Sequence, residues 1–165
     1  MLEAETFTLP GTSLIQLVPQ RSIVSIAAFR GQAAALDAAL GITLPTTPRR
    51  VGNFLWSGPN VWLAISEEPI QFENIQHAAA VTDQSDGVTL FRVIGPNIRR
   101  ILAKLVPIDL RPSAFPSDAV AITLAAHIGI RIWQEDDGAF ILACFRSFAG
   151  ALHHALIEAS HEFDG

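Results

Sequence analysis

The sequence predicts an α+β fold: a single domain over residues 1–165, built from antiparallel sheets with helices packed on one face of each. Two observations lead there. Short runs rich in Val, Ile, Phe and Trp are bounded by Gly, Pro, Asn and Asp, the pattern of hairpins. The order strand, glycine, helix, Pro-rich link, hairpin, helix also occurs twice, over about 21–80 and 88–163.

In the first half, residues 23–29 read as a strand followed by Gly31. The Ala-rich stretch 32–40 reads as a helix closed by Gly41, a residue suited to the left-handed C-cap. After TLPTTPRR, residues 54–56 and 61–65 flank Ser57-Gly58-Pro59-Asn60 as a hairpin, and 72–80 reads as a short helix. In the second half, 88–94 is a strand ending at Gly95, and 96–106 is a helix. Ile98, Ile101, Leu102, Leu105 and Val106 fall at i, i+3, i+4, i+7 and i+8, one apolar stripe. Pro96 suits a first helical position and Gly95 an N-cap. The link DLRPSAFPSD leads to strands 119–126 and 128–133. A turn at Glu135-Asp136-Asp137-Gly138 then leads to strand 139–145, and a long helix spans about 147–163. The natural topology is a pair of ferredoxin-like halves.

Apolar residues make up 50% of the chain and charged residues only 16%. An unusually apolar core explains this, and so does surface buried against partner chains. Of the 11 basic residues, all but Lys104 are Arg. Interfaces show that bias, and a GC-rich genome produces it too. The net charge of −5 offers no basic field for nucleic acid. The longest apolar stretch, 119–130, is too short to span a bilayer. MLEAETFTLP lacks the basic and apolar regions of a signal peptide. A lone cysteine, Cys144, forms no internal disulfide or cysteine-based metal site and fits a reducing cytoplasm.

Gly95-Pro96 raises the question of phosphate binding. The stretch has one glycine rather than G-x-G-x-x-G, and Arg99, Arg100 and Lys104 lie beyond the first helical turn, so it reads as a capped structural helix. Arg99 and Arg100 remain free to meet a partner. His154, Glu158 and His161 share a face of the last helix, opposite Phe148, Leu152, Ala155, Leu156, Ala159 and Phe163. That spacing suits a metal, but a solvated or partner-facing surface is the better reading, and no metal site is assigned. Glu135, Asp136 and Asp137 read as turn residues. His127 reads as a hydrogen-bonded core histidine in a strand and Cys144 as a small buried hydrophobe. Trp56, Trp62 and Trp133 lie on strands, as core or as interface anchors. No catalytic constellation appears. Arg99, Arg100, Trp133, Arg146, His154 and His161 are the candidate partner-facing residues.

From Val81 onward the chain resembles the gamma subunit of heterotetrameric sarcosine oxidase. The matching elements, in order, are Asp83-Gln84-Ser85, the strand into Gly95-Pro96, Leu102-Ala103-Lys104, Pro107-Ile108-Asp109-Leu110, Ala114-Phe115-Pro116, Ala126-His127-Ile128, Ile132-Trp133 and Arg146-Ser147-Phe148-Ala149. Two positions depart from the family pattern: Asp86 stands where many relatives have His, and Phe145 where many have Pro. The same order also resembles the folate-binding domain of the T-protein group of the glycine cleavage system. The resemblance implies a non-catalytic chain without its own cofactor, packed against larger alpha and beta flavoprotein subunits and a small delta subunit. It places flavin, NAD and folate in those partners, and the complex oxidises sarcosine or a related N-methyl amine with one-carbon transfer to tetrahydrofolate. The rival reading is a free-standing folate-binding or aminomethyltransferase-like protein holding the pterin on Asp83. A homo-oligomeric adaptor is a third.

Overall fold

A computed structural model describes residues 14–19 and 21–163. The N-terminal stretch read above for a signal peptide lies outside the described residues. The strands are β1 (Ile15–Leu17), β2 (Ser22–Ala28), β3 (Arg50–Val51), β4 (Phe54–Gly58), β5 (Val61–Ser66), β6 (Ala79–Asp83), β7 (Val88–Val93), β8 (Val120–Ala125), β9 (Ile128–Gln134) and β10 (Phe140–Phe145). The α-helices are α1 (Ala33–Leu40), α2 (Ile98–Ala103) and α3 (Ala149–Ser160). The strands form two antiparallel five-stranded sheets, ordered β1-β7-β10-β9-β8 (sheet A) and β3-β4-β5-β2-β6 (sheet B).

The two sheets share one wiring, with a reciprocal exchange. In each, a strand, a helix and three further strands follow in sequence. The fifth strand comes from elsewhere: β1 precedes β2 but pairs with β7, and β6 precedes β7 but pairs with β2. Each leading strand therefore completes the sheet of the other half.

Alternation along the strands explains the layering. On sheet A, Phe91, Val93, Ile130, Ile132, Phe140 and Leu142 face a core closed by α2 and α3. On sheet B, Val24, Ile26, Trp62 and Ala64 face a core closed by α1 and Ile75. The opposite faces of the sheets meet, with Ile23, Leu55 and Leu63 against Leu90, Val120, Trp133, Ile141 and Ala143. The order is helix, sheet, sheet, helix. This is why FILACF is buried along its first five residues: β10 is covered on both faces. At one corner the sheets are also joined by backbone, Arg50 N–H donating to Asp118 O and Val120 N–H to Pro48 O.

Several boundaries differ from the sequence reading. Residues 72–80 hold a 3-10 turn at Glu73–Ile75 and then strand β6 rather than a helix. The helix after Gly95 begins at Ile98, not at Pro96, and Asn97 rather than Gly95 occupies the cap position. Gly95 sits at φ +144, and Ile98 N–H donates to its carbonyl, so the chain first makes a turn. His127 is neither in a strand nor in the core: Ala126 and His127, at φ +47 and +68, form the tight turn between β8 and β9, and His127 is exposed there. Phe148 is exposed rather than part of the apolar face of α3, while His153, unremarked in the sequence, is buried and stacks on Phe91 with ring centroids 6.0 Å apart.

A Cβ at Gly95 would lie 2.6 Å from the Leu14 side chain, in a backbone region that L-residues rarely adopt. Gly95→Ala is therefore expected to destabilise the chain by about 1–3 kcal/mol, measured by urea unfolding. An unchanged midpoint would show that the turn relaxes freely.

Candidate functional site

The seam between the sheets opens at one end into a cleft of about 530 Å³. That volume lies within the range of small-molecule sites. Its floor is apolar, with Leu55, Leu90, Trp133 and Ile141. Its mouth is charged, and guanidinium and carboxylate groups pair around it. Arg21 pairs with Glu67 and Arg50 with Asp136, while Arg92 meets both Glu135 and Asp137. The 135–137 cluster is thus more than a turn: its carboxylates tie the β9–β10 hairpin to β3 and β7. Backbone N–H donation from Ala139 is the largest effect holding the Asp137 carboxyl below its ordinary pKa, with the Arg92 charge adding to it. The guanidiniums and carboxylates around the rim are thus engaged with one another.

Asp83 ends β6. Its Oδ1 accepts hydrogen bonds from the Ser85 hydroxyl at 2.6 Å and the Ser85 N–H at 2.9 Å. Ser85 Oγ in turn accepts from Ile23 N–H at 3.0 Å, and Gln84 N–H donates to Ile23 O. The two Ser85 donors, hydroxyl first, hold the Asp83 carboxyl below its usual pKa. The D-x-S segment is therefore a turn that fastens β6 and β7 to β2. That donor set fits a structural turn better than a pterin cradle.

The structure separates the candidate partner-facing residues. Arg99 is turned inward: Nε donates to Leu110 O at 2.8 Å, a second nitrogen donates to Gln134 Oε1, and the guanidinium lies 5.2 Å over the Phe140 ring. Trp133 is 6% exposed within the inter-sheet seam. Both are occupied by their own chain and offer little surface to another. Arg100 is exposed and lies over Phe163; Lys104 bonds Glu162 and covers the same ring. Arg146, His154 and His161 are exposed. His154 pairs with Glu158 at 3.3 Å, and among the described residues no three His, Cys, Asp or Glu are grouped to hold a metal ion. Among the described residues, no helix is long and apolar enough to cross a membrane.

Cys144 faces the core under α2 and α3, and burial pushes its thiol up to about 11. The sequence reading passed over Arg131. The only signal was a charge between Ile130 and Ile132 in an apolar run. It sits on the seam side of β9, donating to Ser57 Oγ at 2.9 Å.

Comparisons with known proteins agree with this architecture. The sequence model of the sarcosine oxidase gamma subunit family (SoxG) matches residues 24–162. A sarcosine oxidase subunit gamma from Corynebacterium sp. (strain P-1) is 29% identical over 93% of this chain and 82% of its own length, and one from Arthrobacter sp. matches to the same extent. Among solved structures, a chain of the heterotetrameric sarcosine oxidase from Corynebacterium sp. U-96, in complex with pyrrole 2-carboxylate, superposes with a TM-score of 0.81. It is 27% identical and covers 92% of this chain and 85% of its own.

Two outcomes check the site. Cys144 is expected to resist alkylation in the folded chain and react on unfolding. Stability should fall as pH rises from the ordinary thiol pKa of about 8.5 towards about 11, because only the unfolded thiol ionises there. Fast alkylation of native protein would contradict the burial. Ser85→Ala should move the Asp83 carboxyl titration, followed by carbon NMR, up towards its ordinary value. With its folded pKa depressed, Asp83 supports the fold above the unfolded pKa and loses that support as pH falls. The fold, the family match along nearly the whole chain and the agreement with a solved relative lead to one conclusion: this chain belongs to the sarcosine oxidase gamma subunit family.

Proposed function

We propose that this chain is a non-catalytic structural subunit of a sarcosine-oxidase-type flavoenzyme complex. The complex oxidatively demethylates sarcosine or a related N-methyl amine and passes the one-carbon unit to tetrahydrofolate. Its flavin, NAD and folate belong to partner chains: larger alpha and beta flavoprotein subunits, accompanied by a small delta subunit. The chain acts there as one domain whose halves, 21–80 and 88–163, are duplicates, and a reducing cytoplasm suits its single buried thiol.

The observation that carries this reading is the match of nearly the whole chain, at a TM-score of 0.81, to a chain of a heterotetrameric sarcosine oxidase. The chemistry of the chain supports it. The carboxylates around the cleft are held by arginines, and Asp83 is spent on the turn to Ser85. The folate-binding alternative rests on Asp83, and those bonds weigh against it.

Co-expression with the large subunits, followed by affinity capture on this chain and size-exclusion, should recover one stable flavin-containing complex. The isolated chain titrated calorimetrically with tetrahydrofolate should give no binding heat. Recovery of the chain alone would overturn the structural-subunit reading. Stoichiometric folate binding that Asp83→Asn abolishes would favour the alternative.

A further inference from the structure

Sheet B covers only part of the inner face of sheet A. Three rows cross β8, β9 and β10 on that face. Val120–Trp133–Ile141 is the first and Ile122–Arg131–Ala143 the second; Leu124–Gly129 continues to Phe145, one step beyond the Cys144–Ile130 pair. The first row is buried in the seam. The third is open, with Leu124 46% and Phe145 61% exposed. Ile122, at the outer end of the middle row, is 52% exposed. A Cβ added at Gly129 would meet nothing within 4 Å. The seam therefore closes over the first row and has opened by the third, leaving an apolar sheet surface that none of the described residues covers.

Arg131 lies in the middle row, at the edge of this surface. One terminal nitrogen donates to the neutral Ser57 hydroxyl, and its buried Nε has no acceptor. Among the described residues it forms no ion pair, whereas Arg21, Arg50, Arg92 and Arg111 each meet a carboxylate. Burial alone pulls its pKa down, which marks a cation desolvated without compensation. A half-buried guanidinium with one neutral partner keeps donors available to a carboxylate brought from outside. The three rows themselves contain no carboxylate, and the acids nearest to them, Asp83 and Asp86, border Phe145 at the far end of the third row.

We propose that this open end of sheet A is a docking face for another subunit of the complex, which lays an apolar segment over Ile122, Leu124 and Phe145 and brings a carboxylate to Arg131. The inference rests on the subunit role proposed above.

The test co-expresses the full chain with the large subunits and measures its association with them, using Leu124→Glu, Gly129→Trp and Arg131→Gln. Leu124 and Gly129 are open in the free chain, so these two variants should melt as the wild type does. Val51→Glu, an equivalent change at an exposed apolar site on β3, serves as control. The expected result is association at least about tenfold weaker for the three variants, the scale of losing a central contact, with the control unchanged. Wild-type assembly retained by folded Leu124→Glu and Gly129→Trp overturns the docking face alone. A wild-type chain that joins no large subunit overturns the subunit role and the face with it. An isolated chain that dimerises, and is made monomeric by Gly129→Trp, overturns the proposal in favour of a second copy.

Discussion

The contact between the two sheets is the constraint on which the rest of the molecule depends. Ile23, Leu55 and Leu63 press on Leu90, Val120, Trp133, Ile141 and Ala143, so the strands carrying them are apolar on both faces. Each fully buried aliphatic or aromatic side chain contributes about 1.5–3 kcal/mol of transfer free energy. The exchange of β1 and β6 adds a topological tie, because neither sheet is complete without a strand that leads into the other half. Three apolar clusters in 165 residues account for much of the low charge content. The two explanations offered by composition are therefore not rivals. Much of the excess is core, and Ile122, Leu124 and Phe145 are among the apolar side chains that the described residues leave exposed.

Much of the fold was legible because it is written in period and punctuation. The α2 stripe, the left-handed cap at Gly41, and the β4–β5 and β9–β10 hairpins follow from local rules. The short strands at the sheet edges did not show. β6 reads AAVTD and follows ENIQHA, a helix-compatible composition, and its pairing with β2 overrides that preference. β1 and β3 are only three and two residues long and carry no periodic signal of their own.

The surface was harder to read than the elements. Strand alternation says that a residue faces one of two sides and not whether a second sheet lies there. Trp133 suits either a core or an anchor for another chain, and it is core, packed in the seam against sheet B. Arg99 looked free on the edge of a helix, yet its length carries it back to Leu110 and Gln134. Arg131 is the converse case. A charge within an apolar run looks like noise in a sequence, and only the structure shows it held at the margin of the seam with one neutral partner. Several of its charged groups, Arg50, Arg92, Arg99 and Asp83 among them, fasten loops and hairpins of their own chain.

The most direct test of that account compares hydrogen exchange of the free chain with that of the chain in its assembled complex. β8 is an edge strand, so its outward amides exchange readily in the free chain. The account predicts that peptides over β8 and the end of β10 slow markedly on assembly while those over α1 do not change. Equal exchange over β8 and the end of β10 in both states, or protection confined to the α1 side, would contradict it.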